Sequence, residues 1–295
     1  MNYEIDTNYF SRIEEIKKNE VGVKIYENVF DLKFIEELES FNSILEAQVD
    51  RTDSKKASFS FDQNPYFKTL RQTLNELLGD FYVNDFKPHF ITSRFPLRIH
   101  ADSGKDPDDV IGQNILIPIN IYPKNKHAHT IIFKNKWYGP SANFISKKSN
   151  GNDQILKDNN DKFVDIEDID IFYNIICKAE TNQLINYSNG VFLVNERLKG
   201  EVSKLLNLSR YAIRTNEHIT EGKDFDKAQY KQFLSHQPYE DLKDLEIHTA
   251  YRWKLGDVLV WDRSLIHSSD NYLKNGVDYK ISIPISTSKI NKPLY

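Results

Sequence analysis

The sequence predicts an α+β chain with a mainly β core, on three observations. Runs with strand character recur at residues 86–91, 94–101, 114–122, 129–134, 246–253 and from 258 onward. Two segments ahead of them, 32–41 and 65–80, carry apolar residues at helical spacing instead. Within 114–122, Ile115, Ile117, Ile119 and Ile121 share one face while Asn114, Asn120 and Tyr122 share the other. A polar face on an apolar-backed strand suits a barrel that lines a site.

In chain order, residues 8–18 read as a short polar helix and 23–30 as a strand. Asp31 is placed to cap the helix that follows. Phe67, Leu70, Leu74, Leu77 and Leu78 form the apolar stripe of a second supporting helix. Residues 103–112 form a polar loop, with Gly104 and Pro107 as breakers. Pro118 marks an edge or a bulge in its strand. Residues 139–246 interrupt the strand pattern with a polar loop at 146–161, short helices near 168–178 and 224–235, and the apolar run 191–194. So long an insertion exceeds what a connection needs, which predicts a lid or specificity element, or else added scaffold.

A chain of 295 residues, 39% hydrophobic and rich in aromatics, can bury a sizeable core. Its net charge of −4, without a basic block, argues against nucleic acid as a partner. The single cysteine, Cys177, excludes an internal disulfide and reads as a small buried apolar residue. Residues 1–30 are charged throughout and contain no apolar leader-like run. Nowhere do eighteen apolar residues run together. The expectation is a cytoplasmic protein that does not bind membranes.

The chemistry begins at His100 and Asp102. Side chains two apart on a strand point the same way, so imidazole and carboxylate form a ready pair of metal ligands. A further histidine would complete the two-histidine, one-carboxylate set of non-haem Fe(II) oxygenases, which leaves positions open for substrate chemistry. The stretch 256–267 ends in His267, and a last strand carrying Lys280 and Ser282 on one face follows. With these motifs in this order, the chain resembles the Fe(II)- and 2-oxoglutarate-dependent dioxygenases, of the prolyl-hydroxylase or phytanoyl type. The resemblance covers mainly residues 85–138 and 247–288. Many members use arginine where this chain has Lys280.

The resemblance implies a double-stranded β-helix (jelly-roll, cupin-like) core from 85–138 and 247–288. It makes 1–295 a single oxygenase domain, with 1–84 as supporting helices and strand and 139–246 as the insertion. It implies that His100, Asp102 and His267 are the catalytic iron ligands and that 2-oxoglutarate and O2 are cosubstrates. Lys280 would hold the far carboxylate of 2-oxoglutarate as a point charge. Ser282 would add a hydroxyl contact, and Thr130 and Asn114 further polar ones. The implied activity is hydroxylation of an unactivated C–H bond. If their strands are regular, Arg98 and Arg263 point to the same side as the histidines they precede, and a guanidinium there reads a carboxylate or phosphate. That predicts a small anionic substrate such as an amino acid. Two alternatives are a jelly-roll binding module without catalysis and a hydroxylase of proteins or peptides. The remaining histidines, including His127, His129, His89, His218, His236 and His248, are expected to be surface or satisfied core residues.

Overall fold

The computed structural model describes residues 13–50, 54–79, 81–83, 88–102, 112–136, 142–143, 185–188, 191–194, 223–243 and 245–288. Three helices and four strands come first: α1 (Ile13–Asn19), β1 (Val23–Tyr26), α2 (Leu32–Ile44), β2 (Val49–Asp50), β3 (Ser54–Ser58), α3 (Pro65–Leu78) and β4 (Tyr82–Val83). Then follow β5 (His89–Ser93), β6 (His100–Ala101), β7 (Gln113–Tyr122), β8 (His129–Lys136) and β9 (Ala142–Asn143). The hairpin β10 (Ile185–Ser188) and β11 (Val191–Val194) lies within the insertion. The chain closes with β12 (Ile247–Arg252), β13 (Val258–Asp262), β14 (Leu265–Ser269) and β15 (Tyr279–Ser288).

Two antiparallel sheets result. One runs β1-β13-β7-β15-β5-β3-β2, with β4 also on β15, and the other runs β12-β8-β14-β6-β9. Along the chain β5, β7, β13 and β15 belong to the first sheet, while β6, β8, β12 and β14 belong to the second. Those eight strands form the jelly roll. Their facing sides meet in one cluster that includes Leu116, Ile121, Ile132, Tyr251, Trp253, Leu259, Trp261, Leu265 and Tyr272. Against the outer side of the larger sheet α2 and α3 pack, joining Ile35, Leu38, Phe67, Leu70 and Leu74 to Ile115, Ile117, Val258, Ile283 and Ile285. Each such side chain contributes roughly 1.5–3 kcal/mol when fully buried, so this layer holds the pocket's rear wall rigid.

The helices start where the sequence says. Asp31 accepts from the Phe34 amide at 2.7 Å, and Asn64 caps α3 by accepting from Phe67 at 2.9 Å ahead of Pro65. Other expectations change. The first strand stops at Tyr26, because Asn28 takes a left-handed conformation at φ 54°. Residues 94–99 form no strand: only His100 and Ala101 pair, after a bend at Ile99. In β7 a bulge separates the pairs Asn120↔Ile281 and Pro118↔Ser282. The bulge reverses the alternation, so Ile121 joins the barrel interior while Asn120 meets Glu39 of α2. The helix expected at 224–235 is a short turn, Lys227–Gln229, running on as a π-helix to Leu234. Most of the insertion, Cys177 and the helix expected at 168–178 lie outside the described residues. Among the described residues no helix is long and apolar enough to cross a membrane.

Candidate metal centre and its pocket

His267 on β14 and His100 on β6 are registered opposite one another, with ring centroids 4.1 Å apart. Asp102 follows β6 directly. Its Oδ2 lies 3.3 Å from His267 Nε2 and 3.7 Å from His100 Nε2. One donor atom from each of the three falls within 4.8 Å of the others. The tautomers suit ligation, because each ring uses Nδ1 on a main-chain carbonyl two residues back. His100 Nδ1 meets Arg98 O at 2.7 Å, and His267 Nδ1 meets Leu265 O at 3.1 Å. A carbonyl accepts only, so Nδ1 carries the hydrogen and Nε2 keeps its lone pair turned toward Asp102.

The electrostatics match. Burial, reinforced by the neighbouring His267, lowers the His100 pKa to about 4, so the ring is neutral at pH 7. Partial desolvation would raise Asp102, whose side chain is still 51% exposed, but the two imidazoles and Arg263 outweigh it and hold the carboxyl below its usual range. Two imidazoles and one carboxylate on a common point are the donor set of a divalent first-row metal, and the three residues fit one.

Arg263 explains why Asp102 stays there. The arginine is 1% exposed, donating from Nε to Asp102 O at 2.8 Å and from a terminal nitrogen to Thr287 O at 3.3 Å. Gly112 makes room for it. A Cβ at that position would fall 2.0 Å from Thr287 O and 3.1 Å from Arg263 Cδ. The strand alternation on which the placing of both arginines rests does not hold here. Arg263 sits in the turn between β13 and β14, where strand alternation does not apply. For Arg98 the bend at Ile99 breaks the rule. The Ser269 amide donates to Leu97 O, one residue out of step with the His267↔His100 pair. The charges of Arg98 and Lys280 are both felt at His236, whose pKa, lowered chiefly by burial, falls to about 4.

At the far end, Lys280 is 4% exposed and projects inward from β15. Its Nζ lies 4.1 Å from the Trp253 ring centroid and 4.9 Å from that of Tyr272. No carboxylate pairs with it among the described residues. Burial lowers its pKa to about 8, with Asp270 opposing; Asp270 itself is engaged by His129 at 2.9 Å. Ser282, 3% exposed, shares the inward face two residues on. Thr130 steadies the aromatic box by accepting from Trp253 Nε1 at 2.8 Å. Asn114 sits nearer the histidines, accepting from Ser286 Oγ at 3.0 Å. Its Nδ2, and Nε1 of Trp261 registered opposite it, are buried donors without an acceptor among the described residues. Trp261 packs edge-on against His267 at 5.0 Å.

Several participants carry no sequence signal. Lys56, in the unremarkable run 54–58, is registered with Ile91, which pairs with Ser282, so these residues share the pocket-side face. Its charge reaches His100. Trp253 and Tyr272 were indistinguishable from core aromatics, and Gln237 from any insertion residue.

No family model matches the chain, and no curated protein does. Similar solved structures are distant in sequence. HygX from Streptomyces hygroscopicus, with nickel, 2-oxoglutarate and hygromycin B bound, shares 12% identity over 94% of this chain and 87% of its own, at TM-score 0.42. A 2OG-Fe(II) family oxidoreductase from Burkholderia pseudomallei shares 8% over 96% and 90%, at TM-score 0.39. Apo EctD from S. alaskensis shares 11% over 96% and 80%, at TM-score 0.35. Each is an architectural likeness, and the site's own residues carry the functional reading.

Proposed function

We propose that this chain is an Fe(II)- and 2-oxoglutarate-dependent oxygenase that hydroxylates an unactivated C–H bond of a small anionic molecule, such as an amino acid. One observation carries the reading: a two-histidine, one-carboxylate triad and a buried lysine with no ion pair among the described residues occupy the same barrel interior. 2-Oxoglutarate offers a 2-oxo acid head suited to the metal and a far carboxylate suited to Lys280, with Ser282 beside it. Bound iron would supply O2 activation. In the overall balance one oxygen atom enters succinate as CO2 leaves, and the other becomes the product hydroxyl. The protein's part is to hold the three ligands, fix both ends of the cosubstrate and exclude water. The donors of Asn114 and Trp261, without an acceptor among the described residues, would meet an acceptor near the triad. Lys56 supports the anionic substrate, because it adds a cation on the pocket side of the sheet that extends beyond the barrel. We infer a cytoplasmic setting from the single cysteine.

The test is succinate formation from 2-oxoglutarate with and without Fe(II), across free amino acids, peptides and small acids. Iron-dependent succinate that rises with an acidic small molecule supports the reading, and Lys56→Met should cut that rise about tenfold or more. A jelly-roll binding module would form none, and stimulation by peptides alone would favour the protein-hydroxylase alternative.

A further inference from the structure

Behind the triad, on the outer face of the smaller sheet, lies the segment that ends the insertion. Phe225 packs on Phe133 and Phe233 on His129, both on the outer side of β8. The Asn271 amide donates to Phe233 O, and Asn271 Nδ2 donates to Ser235 Oγ at 3.0 Å. Residues 223–243 therefore back the ligand-bearing strands, and a lid role for the insertion concerns mainly residues outside those described.

The strand β6 is only two residues long, and the bend at Ile99 takes its amide out of the ladder with β14. Ile99 is 1% exposed, so that amide needs a partner. Gln237 supplies it. Its side-chain carbonyl accepts from Ile99 N at 3.2 Å, and its amide donates to Ser268 Oγ at 3.2 Å. Ser268 Oγ in turn reaches Leu97 O at 2.9 Å. Ile99 directly precedes His100, and Ser268 directly follows His267. Gln237 is itself 3% exposed and held at both main-chain groups, donating to Leu234 O and accepting from Tyr230 Oη.

We propose that Gln237 is a positioning residue of the metal centre: its amide replaces the missing rung between the strands carrying His100 and His267 and fixes the spacing of the two imidazoles. The proposal rests on the metal-binding reading of the triad. It makes the segment closing the insertion a part of the site. Outer partners hydrogen-bonded to metal ligands are worth about 10- to 100-fold in metal affinity, and Gln237 holds the residues adjoining two of them.

Three readouts on the full chain test this. Co(II) titrated into the wild type should give a saturable d–d absorption, and Gln237→Leu should weaken that binding about 10- to 100-fold and change the band shape. In the metal-free protein, hydrogen exchange at the Ile99 amide should quicken in Gln237→Leu. Gln237→Asn, one methylene too short to reach both partners, should do the same if Gln237→Leu does not fold. Wild-type cobalt affinity and spectrum in a folded variant would overturn the proposal, as would unchanged Ile99 exchange. If the wild type takes up no cobalt, the metal reading fails, and the Ile99 exchange still decides whether Gln237 is the clamp.

Discussion

At one end of the barrel pocket, three electron-pair donors converge on a common point. At the other, a lysine ammonium lies over two aromatic rings with no carboxylate paired to it among the described residues. The two ends are built differently. The triad is held by main-chain geometry: carbonyls orient both imidazoles, Arg263 grips the Asp102 carbonyl, and side chains behind the sheet tie the strands together. Lys280 is held by ring faces and by burial, and the burial lowers its pKa to about 8. Structural ion pairs neutralise each other locally, whereas among the described residues the Lys280 ammonium and the Asp102 carboxylate form no pair with one another. The difference matches what the proposed function asks of the two groups, a metal at the triad and an anion at Lys280.

Breaking the triad end should have the largest effect. His267→Ala and Asp102→Ala should each weaken Fe(II) binding by more than roughly 100-fold, beyond the usual cost of losing a supporting contact. Anaerobic calorimetry checks this, and near-wild-type affinity in either variant would remove the site assignment. The lysine end separates cleanly from it. Lys280→Met should leave Fe(II) binding intact yet raise the 2-oxoglutarate requirement roughly 30- to 1000-fold, equivalent to about 2–4 kcal/mol. The same variant should be more stable than the parent at pH 7. A buried lysine with a depressed pKa favours folding only above its unfolded value of 10.5, and that contribution is lost as pH falls toward about 8. A gain of order 2–3 kcal/mol in denaturant unfolding is expected.

The smallest and sharpest effect is in pH. Lys280 binds an anion as the ammonium, so 2-oxoglutarate affinity should be flat below about pH 7 and weaken above about pH 8. The loss should approach tenfold per pH unit. Lys280→Arg should flatten the profile, since a guanidinium stays charged throughout. Calorimetric titrations of 2-oxoglutarate between pH 6.5 and 9.5 distinguish the two.

What the sequence determined by itself follows from local rules. The cap at Asp31, the stripe of α3 and the strand character of β7, β13 and β15 rest on periodicity and on side chains that bond their own backbone. The clustering of His100, Asp102 and His267 was legible because i, i+2 spacing survives on even a two-residue strand and because the distal histidine ends a strong apolar run. Lys280 and Ser282 were legible for the same reason, as inward positions on a strand whose isoleucines face the helices. Only the tertiary structure decided the rest. A bulge in β7 and a bend at Ile99 each shift the alternation by one residue, which sent Ile121 inward, Asn120 outward, and removed the basis for placing Arg98 in the pocket. Arg263 proved to be a brace, because a turn obeys no period. Lys56, Trp253, Tyr272 and Gln237 reach the site through strand order, sheet curvature and a segment returning from far along the chain. Such contacts join residues up to 138 positions apart, as in Ile99 and Gln237, and no local pattern encodes a partner at that distance.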